Sequence, residues 1–220
     1  MKIRATYFFV LLFLFGAWAC KSQVDVPKPL SKMDTTSHKR QLNIRAAANS
    51  TANFDSLPAN IANYLPTNNE LLIDYQQADL NNDHLPDLLL VMEQATDTTQ
   101  TDQNGTRQLY ILLQQNGGLY KLAAQNNKVV YCQTCGGVMG DPYMGIAINN
   151  DGSFTVSNYG GSAWRWGIDF TFAYKNNDFF WIKETSTTFS STDPEHGETK
   201  QRTETQLGTV RFNDFDAKNN

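Results

Sequence analysis

Nine residues, Asp79-Leu80-Asn81-Asn82-Asp83-His84-Leu85-Pro86-Asp87, carry oxygen side chains at positions 1, 3, 5 and 9. Position 7, Leu85, can add its backbone carbonyl. Calcium takes roughly six to eight oxygen ligands at about 2.3–2.6 Å, and a tight loop with this spacing can gather them around one ion. An EF-hand needs Gly at position 6 and Glu at position 12. Here those positions hold His84 and Leu90, which excludes that motif. The expected ligand set is Asp79, Asn81, Asp83, Leu85 and Asp87 around a structural Ca2+. The competing reading is an Asx-rich turn that holds only its own backbone. His84 stands where such loops often go left-handed, a conformation that suits Gly better.

A second block reads Tyr131-Cys132-Gln133-Thr134-Cys135-Gly136-Gly137-Val138-Met139-Gly140-Asp141-Pro142. A redox dithiol wants its first Cys at a helix N-terminus, which lowers the thiol pKa. Gly136 and Gly137 argue against a helix there. A zinc site wants four ligands. There is no second CxxC, and the three histidines, His38, His84 and His196, are scattered. What remains is a local disulfide between Cys132 and Cys135, or two quiet thiols. An exported chain favours the disulfide.

Acid–base candidates also exist. Asp141 lies in the glycine-rich stretch near Tyr143, with Tyr159 and Arg165 in the next glycine-rich stretch; Asp169, Glu184 and His84 are further candidates. A hydrolase acting on an envelope polymer could place a general acid at Asp141 beside Tyr159 and Arg165. No nucleophile or paired-carboxylate spacing accompanies it, so no catalytic residue is assigned.

The elements that would position these groups read mostly as strands: 70–78, 87–93, 107–115, 119–124, 129–131, 145–149, 153–159, 164–174, 179–187 and 203–212. Asn150-Asp151-Gly152 predicts a hairpin turn, and Asn176-Asn177 predicts a second. Polar stretches 95–105 and 190–200 read as loops. Asp55-Ser56 followed by LPANIANYL predicts one short capped helix. In 164–174, Trp164, Trp166, Ile168, Phe170, Phe172 and Tyr174 alternate onto one face, which is expected to pack the core. The fold class is therefore mostly β (α+β): an antiparallel meander or sandwich-like domain with one short N-terminal helix. Only one acidic loop occurs, so a propeller is not expected.

The N-terminus places the chain. Lys2 and Arg4 precede the apolar run YFFVLLFLFGAW and then Ala19-Cys20, the pattern of a secretory signal. The run is short for a membrane span. Ala17-Trp18-Ala19-Cys20 resembles a bacterial lipobox, in which Cys20 becomes the lipidated first residue. Ala17-x-Ala19 also suits ordinary signal peptidase, which would leave Cys20 an odd thiol in an oxidising compartment. Residues 1–19 are the expected signal peptide, 20–52 a lipid-anchored tether, 53–216 one globular domain and 217–220 a disordered tail. Cleavage leaves 220 − 19 = 201 residues and removes two positive charges, taking the net charge from −4 to −6.

With 18 Lys+Arg against 22 Asp+Glu, the chain is not the uniformly basic kind that wraps nucleic acid. Charged residues are only 18%. The tether is locally basic and could lie on anionic headgroups or serve as a solvated spacer. Partners expected are the membrane, through the lipid, and a protein or glycan, with no nucleic acid.

The blocks together resemble a family of exported bacterial proteins without an assigned activity. Its members carry one FG-GAP/VCBS-like DLNxDGxxD loop, then RxLxILL, CxxCGGxxGDP, YGGSxWRW and a final FxYxxxxFxLI hairpin. Here these pieces are Asp79–Asp87, Arg107–Leu113, Cys132–Pro142, Tyr159–Trp166 and Phe172–Ile182. The resemblance bears on the fold and assigns no activity. The signal, the tether and the acidic loop give the expectation of an envelope-anchored, calcium-stabilised β domain with a binding role, non-enzymatic.

Overall fold

The computed structural model describes residue 61, residues 70–94 and residues 106–219. The expected signal, tether and 95–105 loop lie outside these residues. So does the expected short helix, apart from Ile61. The described chain forms two antiparallel sheets, each a simple meander. The first contains β1 (Glu70–Ala78), β2 (Asp87–Gln94), β3 (Arg107–Gln114) and β4 (Tyr120–Asn126). The second contains β5 (Tyr143–Ile148), β6 (Phe154–Gly161), β7 (Trp164–Lys175), β8 (Asp178–Ser190) and β9 (Asp193–Thr203). The architecture is a β-sandwich, with no closed barrel or propeller among the described residues.

The apolar run of β2 is divided by the two-residue period of a strand. Leu89 and Val91 face the second sheet, while Leu88, Leu90 and Met92 face the opposite side with Ile61, Leu72 and Leu112. The first sheet is thus apolar on both faces. The second sheet contributes Phe154, Val156, Phe170, Phe172, Phe179 and Trp181 to the shared core.

Two devices seal the sandwich. In β1, Leu72 pairs with Met92 but Asp74 pairs with Val91, so Ile73 is an inserted bulge residue. The bulge re-aims Asp74 to the inner side, where its Oδ2 accepts from Tyr143 Oη–H (2.8 Å) and Ile146 N–H (3.2 Å) on β5. On the other side the C-terminal segment closes the gap. Trp181 N–H donates to the Val210 carbonyl, and Asn126 Nδ2 donates to the carbonyls of Phe212 (2.6 Å) and Phe215 (2.8 Å). Phe215 then packs edge-on against Phe170, Phe172 and Trp181 at 4.9–5.1 Å between ring centres.

Both expected hairpins form. Gly152 sits at φ 80° between β5 and β6, and Asn176 and Asn177 have φ 49° and 62° between β7 and β8. Two successive positive φ values match the right-handed twist of the flanking strands.

Four expectations need correction. The stretch 190–200 is not a loop: β9 occupies Asp193–Thr203 and pairs with β8. It shows no apolar alternation because it is an edge strand with nearly every residue exposed, and charges such as Glu195, Glu198 and Lys200 suit an edge that must not recruit further strands. The stretch 203–212 is not a strand. A short helix α1 (Glu204–Leu207) begins where Gln206 Oε1 accepts from Thr203 N–H, and only Arg211 returns to the sheet, in a single bridge with Phe180. Residues 129–131, with Val129 and Val130 buried and Tyr131 half-buried, are not a strand, because Asn126 Oδ1 accepts from Lys128 N–H and Val129 N–H and turns the chain. The aromatic face of β7 is core only in part: Phe170 and Phe172 are buried, whereas Trp164 is 69% exposed at the strand's outer end. At the C-terminus, residues 217–219 form a turn, and Ala217 packs against the core.

Candidate functional site

The acidic loop joins β1 to β2 and starts as Asp79 leaves β1. Asp79 Oδ1 accepts from Asp83 N–H (3.1 Å) and Oδ2 from His84 N–H (2.8 Å). Asn81 Oδ1 accepts from Asp83 N–H (3.1 Å), and Asp83 Oδ1 from Leu85 N–H (2.8 Å). These bonds wind the chain into successive Asx turns. The winding needs left-handed backbone at Asn82 (φ 63°) and His84 (φ 66°). The His84 side chain is 90% exposed, with its Nδ1 3.7 Å from Asp79 Oδ2.

Asp87 closes the loop from β2. It is fully buried, and its two oxygens accept from Leu80 N–H (2.9 Å) and Gln114 N–H (2.8 Å), tying the loop to β3. Burial pushes its carboxyl up, the two backbone N–H groups pull it down, and the negative charges of Asp83 and Asp79 push it up again. A cation among these oxygens would relieve that repulsion. The donor set, carboxylate, amide and carbonyl oxygen, fits a hard cation. Among the described residues, no three His, Cys, Asp or Glu side chains are grouped so as to hold a metal by themselves. A cation here would therefore draw on Asn81 Oδ1 and the Leu85 carbonyl as well.

The other charged cluster lies inside the protein. Arg107 opens β3 with its side chain completely buried. Its Nε donates to Glu93 Oε2 (2.6 Å), and Glu93 also pairs with Nη2. Both Nη atoms reach Asp141, Nη1 to Oδ1 and Nη2 to Oδ2, each at 2.7 Å. Nη1 also donates to the Tyr131 carbonyl (3.0 Å), and the guanidinium lies over the Tyr143 ring at 5.7 Å. Tyr143 links this cluster to Asp74. Burial pushes the Tyr143 phenol well up and the Asp74 carboxyl up.

This arrangement gives Asp141 a different role from the one the hydrolase reading needs. Its carboxylate is a two-pronged partner of Arg107 and also accepts from Tyr143 N–H (3.0 Å). Arg165 Nη1 donates to the Gly161 carbonyl, and Tyr159 stacks beside Phe189 at 6.4 Å. Asp141 and Arg165 are thus each bonded to another partner, and the Tyr159 ring lies against Phe189. Glu184 forms a two-pronged pair with Arg202 (3.1 and 2.6 Å). Asp169 lies mid-strand in β7, opposite Ser157 and Thr185.

The two glycine-rich blocks meet. Gly161 N–H donates to the Gly136 carbonyl (2.9 Å), and Tyr159 N–H to the Pro142 carbonyl (2.8 Å). A Cβ on Gly160 would lie 2.6 Å from Trp166 Cζ2 and 2.9 Å from Gly136 Cα, so this approach requires glycine. Before this junction, the sulfurs of Cys132 and Cys135 are bonded.

Sequence reading did not identify Arg107, Glu93, Asp74 and Tyr143 as one network. The available signal was a lone charge in each of three largely apolar stretches: LLIDY, LLLVME and RQLYILL. Such a charge in a buried strand needs a partner, but nothing local names it.

Among the described residues no helix is long and apolar enough to cross a membrane. No family model, curated protein or solved structure matches the chain.

Proposed function

We propose that the protein is a lipid-anchored binding module of the bacterial envelope, non-enzymatic, whose β-sandwich is stabilised by calcium at the Asp79–Asp87 loop. The observation that carries the calcium reading is the loop's own backbone. Asp83 N–H and His84 N–H both turn onto the Asp79 carboxylate, while the buried Asp87 fixes the far end to β3. That holds Asp79, Asn81, Asp83 and the Leu85 carbonyl within one tight turn between paired strands. The role is structural, because a cation there would tie β1, β2 and β3 together.

The envelope reading rests on the basic start, the apolar run Tyr7–Trp18 and Cys20, and the motif resemblance supports it. The bound partner is a protein or glycan.

Thermal melting of the full chain in EDTA and in millimolar Ca2+ tests the calcium reading. A ligand present at about 100 times its Kd stabilises by about 2.7 kcal/mol, so the wild type melts several degrees higher with calcium and Asp83→Ala does not. Equal melting in both buffers overturns the reading.

A further inference from the structure

The Cys132–Cys135 bond contributes little as a staple. It spans only three positions in sequence, and short closures restrict the unfolded chain least. Hydrogen bonds already hold the same turn and its continuation: Cys135 N–H to the Cys132 carbonyl (3.0 Å), Gly136 N–H to the Gly140 carbonyl (2.9 Å) and Gly161 N–H to the Gly136 carbonyl.

The position of the bond suits chemistry better. Both cysteines are half-buried and line an open cleft of about 300 Å3 that also presents Tyr131, Arg107, Lys128, Asp216 and Lys218. Arg107 is matched by Glu93 and Asp141, and Lys128 by Asp216 at 3.0 Å. Lys218 has no ion-pair partner among the described residues, which leaves its positive charge available to the cleft. The Thr134 hydroxyl lies 3.8 Å from Cys132 Sγ, and since a bonded sulfur has no hydrogen, the hydroxyl is the donor. A hydroxyl donor, and a cation lining the same cleft, both favour thiolate over thiol.

We infer that Cys132 and Cys135 form an exchangeable disulfide that takes two electrons from external thiols entering this cleft. A thiolate attacks Cys135 Sγ and the Cys132–Cys135 bond breaks. Its electron pair goes to Cys132 Sγ, which leaves as a thiolate beside Thr134, in the cleft that Lys218 also lines. A second thiolate attacks the external sulfur of the mixed disulfide and releases Cys135 as a thiolate. Two external thiols become one disulfide, and the protein bond becomes two thiols or thiolates. The two protons from the attacking thiols pass to solvent or to the new thiolates.

The test uses the full chain with Cys20→Ser, so that two sulfurs report, equilibrated in glutathione buffers of graded poise. The expected result is reversible reduction within the glutathione range, with a glutathione adduct trapped on Cys135 in Cys132→Ser. In Cys135→Ser the Cys132 thiol should titrate below the ordinary value of about 8.5, and Lys218→Met should raise it. The oxidised and reduced forms should melt at similar temperatures. A bond that stays oxidised in strongly reducing glutathione overturns the proposal. So does a reduced form that unfolds, which would make the bond a staple after all. A Cys132 thiol at or above about 8.5 in a Cys135→Ser protein that still melts cooperatively also overturns it.

Discussion

The molecule holds two acidic clusters built on opposite terms. At the Asp79–Asp87 loop, carboxylates accept from backbone N–H groups at the surface, and the nearest basic side chain, His84, is almost fully exposed. At the inter-sheet cluster, Glu93 and Asp141 are saturated by one buried guanidinium. The first leaves negative charge that an external cation could neutralise. The second supplies its own cation from β3. Acidic residues therefore mark a binding candidate only where the fold has not already provided the counter-charge.

Removing the internal cation tests this difference most severely. Arg107→Met strands two carboxylates in the interior and should cost about 3–5 kcal/mol, the usual penalty for breaking a buried pair, read from chemical denaturation. Arg107→Lys keeps the charge but cannot form the two-pronged pair with Asp141, so it should fall between. If Arg107→Met costs no more than an exposed substitution, the contrast between the clusters fails.

The second prediction concerns the junction next to Asp141. Gly160→Ala forces a Cβ into Trp166 and Gly136 and should cost about 1–3 kcal/mol by overpacking, again by denaturation.

The third uses pH. Burial raises the folded-state Asp74 carboxyl above its ordinary 3.8. The unfolded chain then gives up its proton first, so this group lowers stability as pH rises from 3.8 through the raised folded value. Asp74→Asn keeps an acceptor for Tyr143 or Ile146 and should remove that decline, leaving the variant relatively more stable at neutral pH. Melting curves across pH 3–7 check it, and a decline of unchanged size in the variant assigns the effect to another group.

The smallest effect is at the loop. His84→Gly relieves left-handed backbone worth about 1–2 kcal/mol but adds unfolded-state entropy worth about 0.4–1 kcal/mol. A net gain of about 1 kcal/mol or less is expected, seen as a small rise in melting temperature, with the calcium-dependent shift retained.

The sandwich was largely legible in the chain because its signals are local. Strand β1 is expected and observed at 70–78, since LLIDY lies before an Asx-rich turn. The Asn150-Asp151-Gly152 and Asn176-Asn177 turns depend only on residues that tolerate positive φ. Strand β9 was not legible, because its register comes from β8 and nearly all of its residues are exposed.

The same division runs through the candidate sites. The sequence by itself determined the oxygen spacing of the Asp79–Asp87 loop and the Cys132–Cys135 proximity, because both act across a few residues. It also determined which face of β7 would be aromatic. Only the tertiary structure decided that Asp141 belongs to Arg107, a pairing across 34 positions, and that Trp164 extends beyond the core. Only the tertiary structure brought the two cysteines and Lys218 into the lining of one cleft. A charge's partner is set by which strands become neighbours, and that depends on the packing of the whole sandwich.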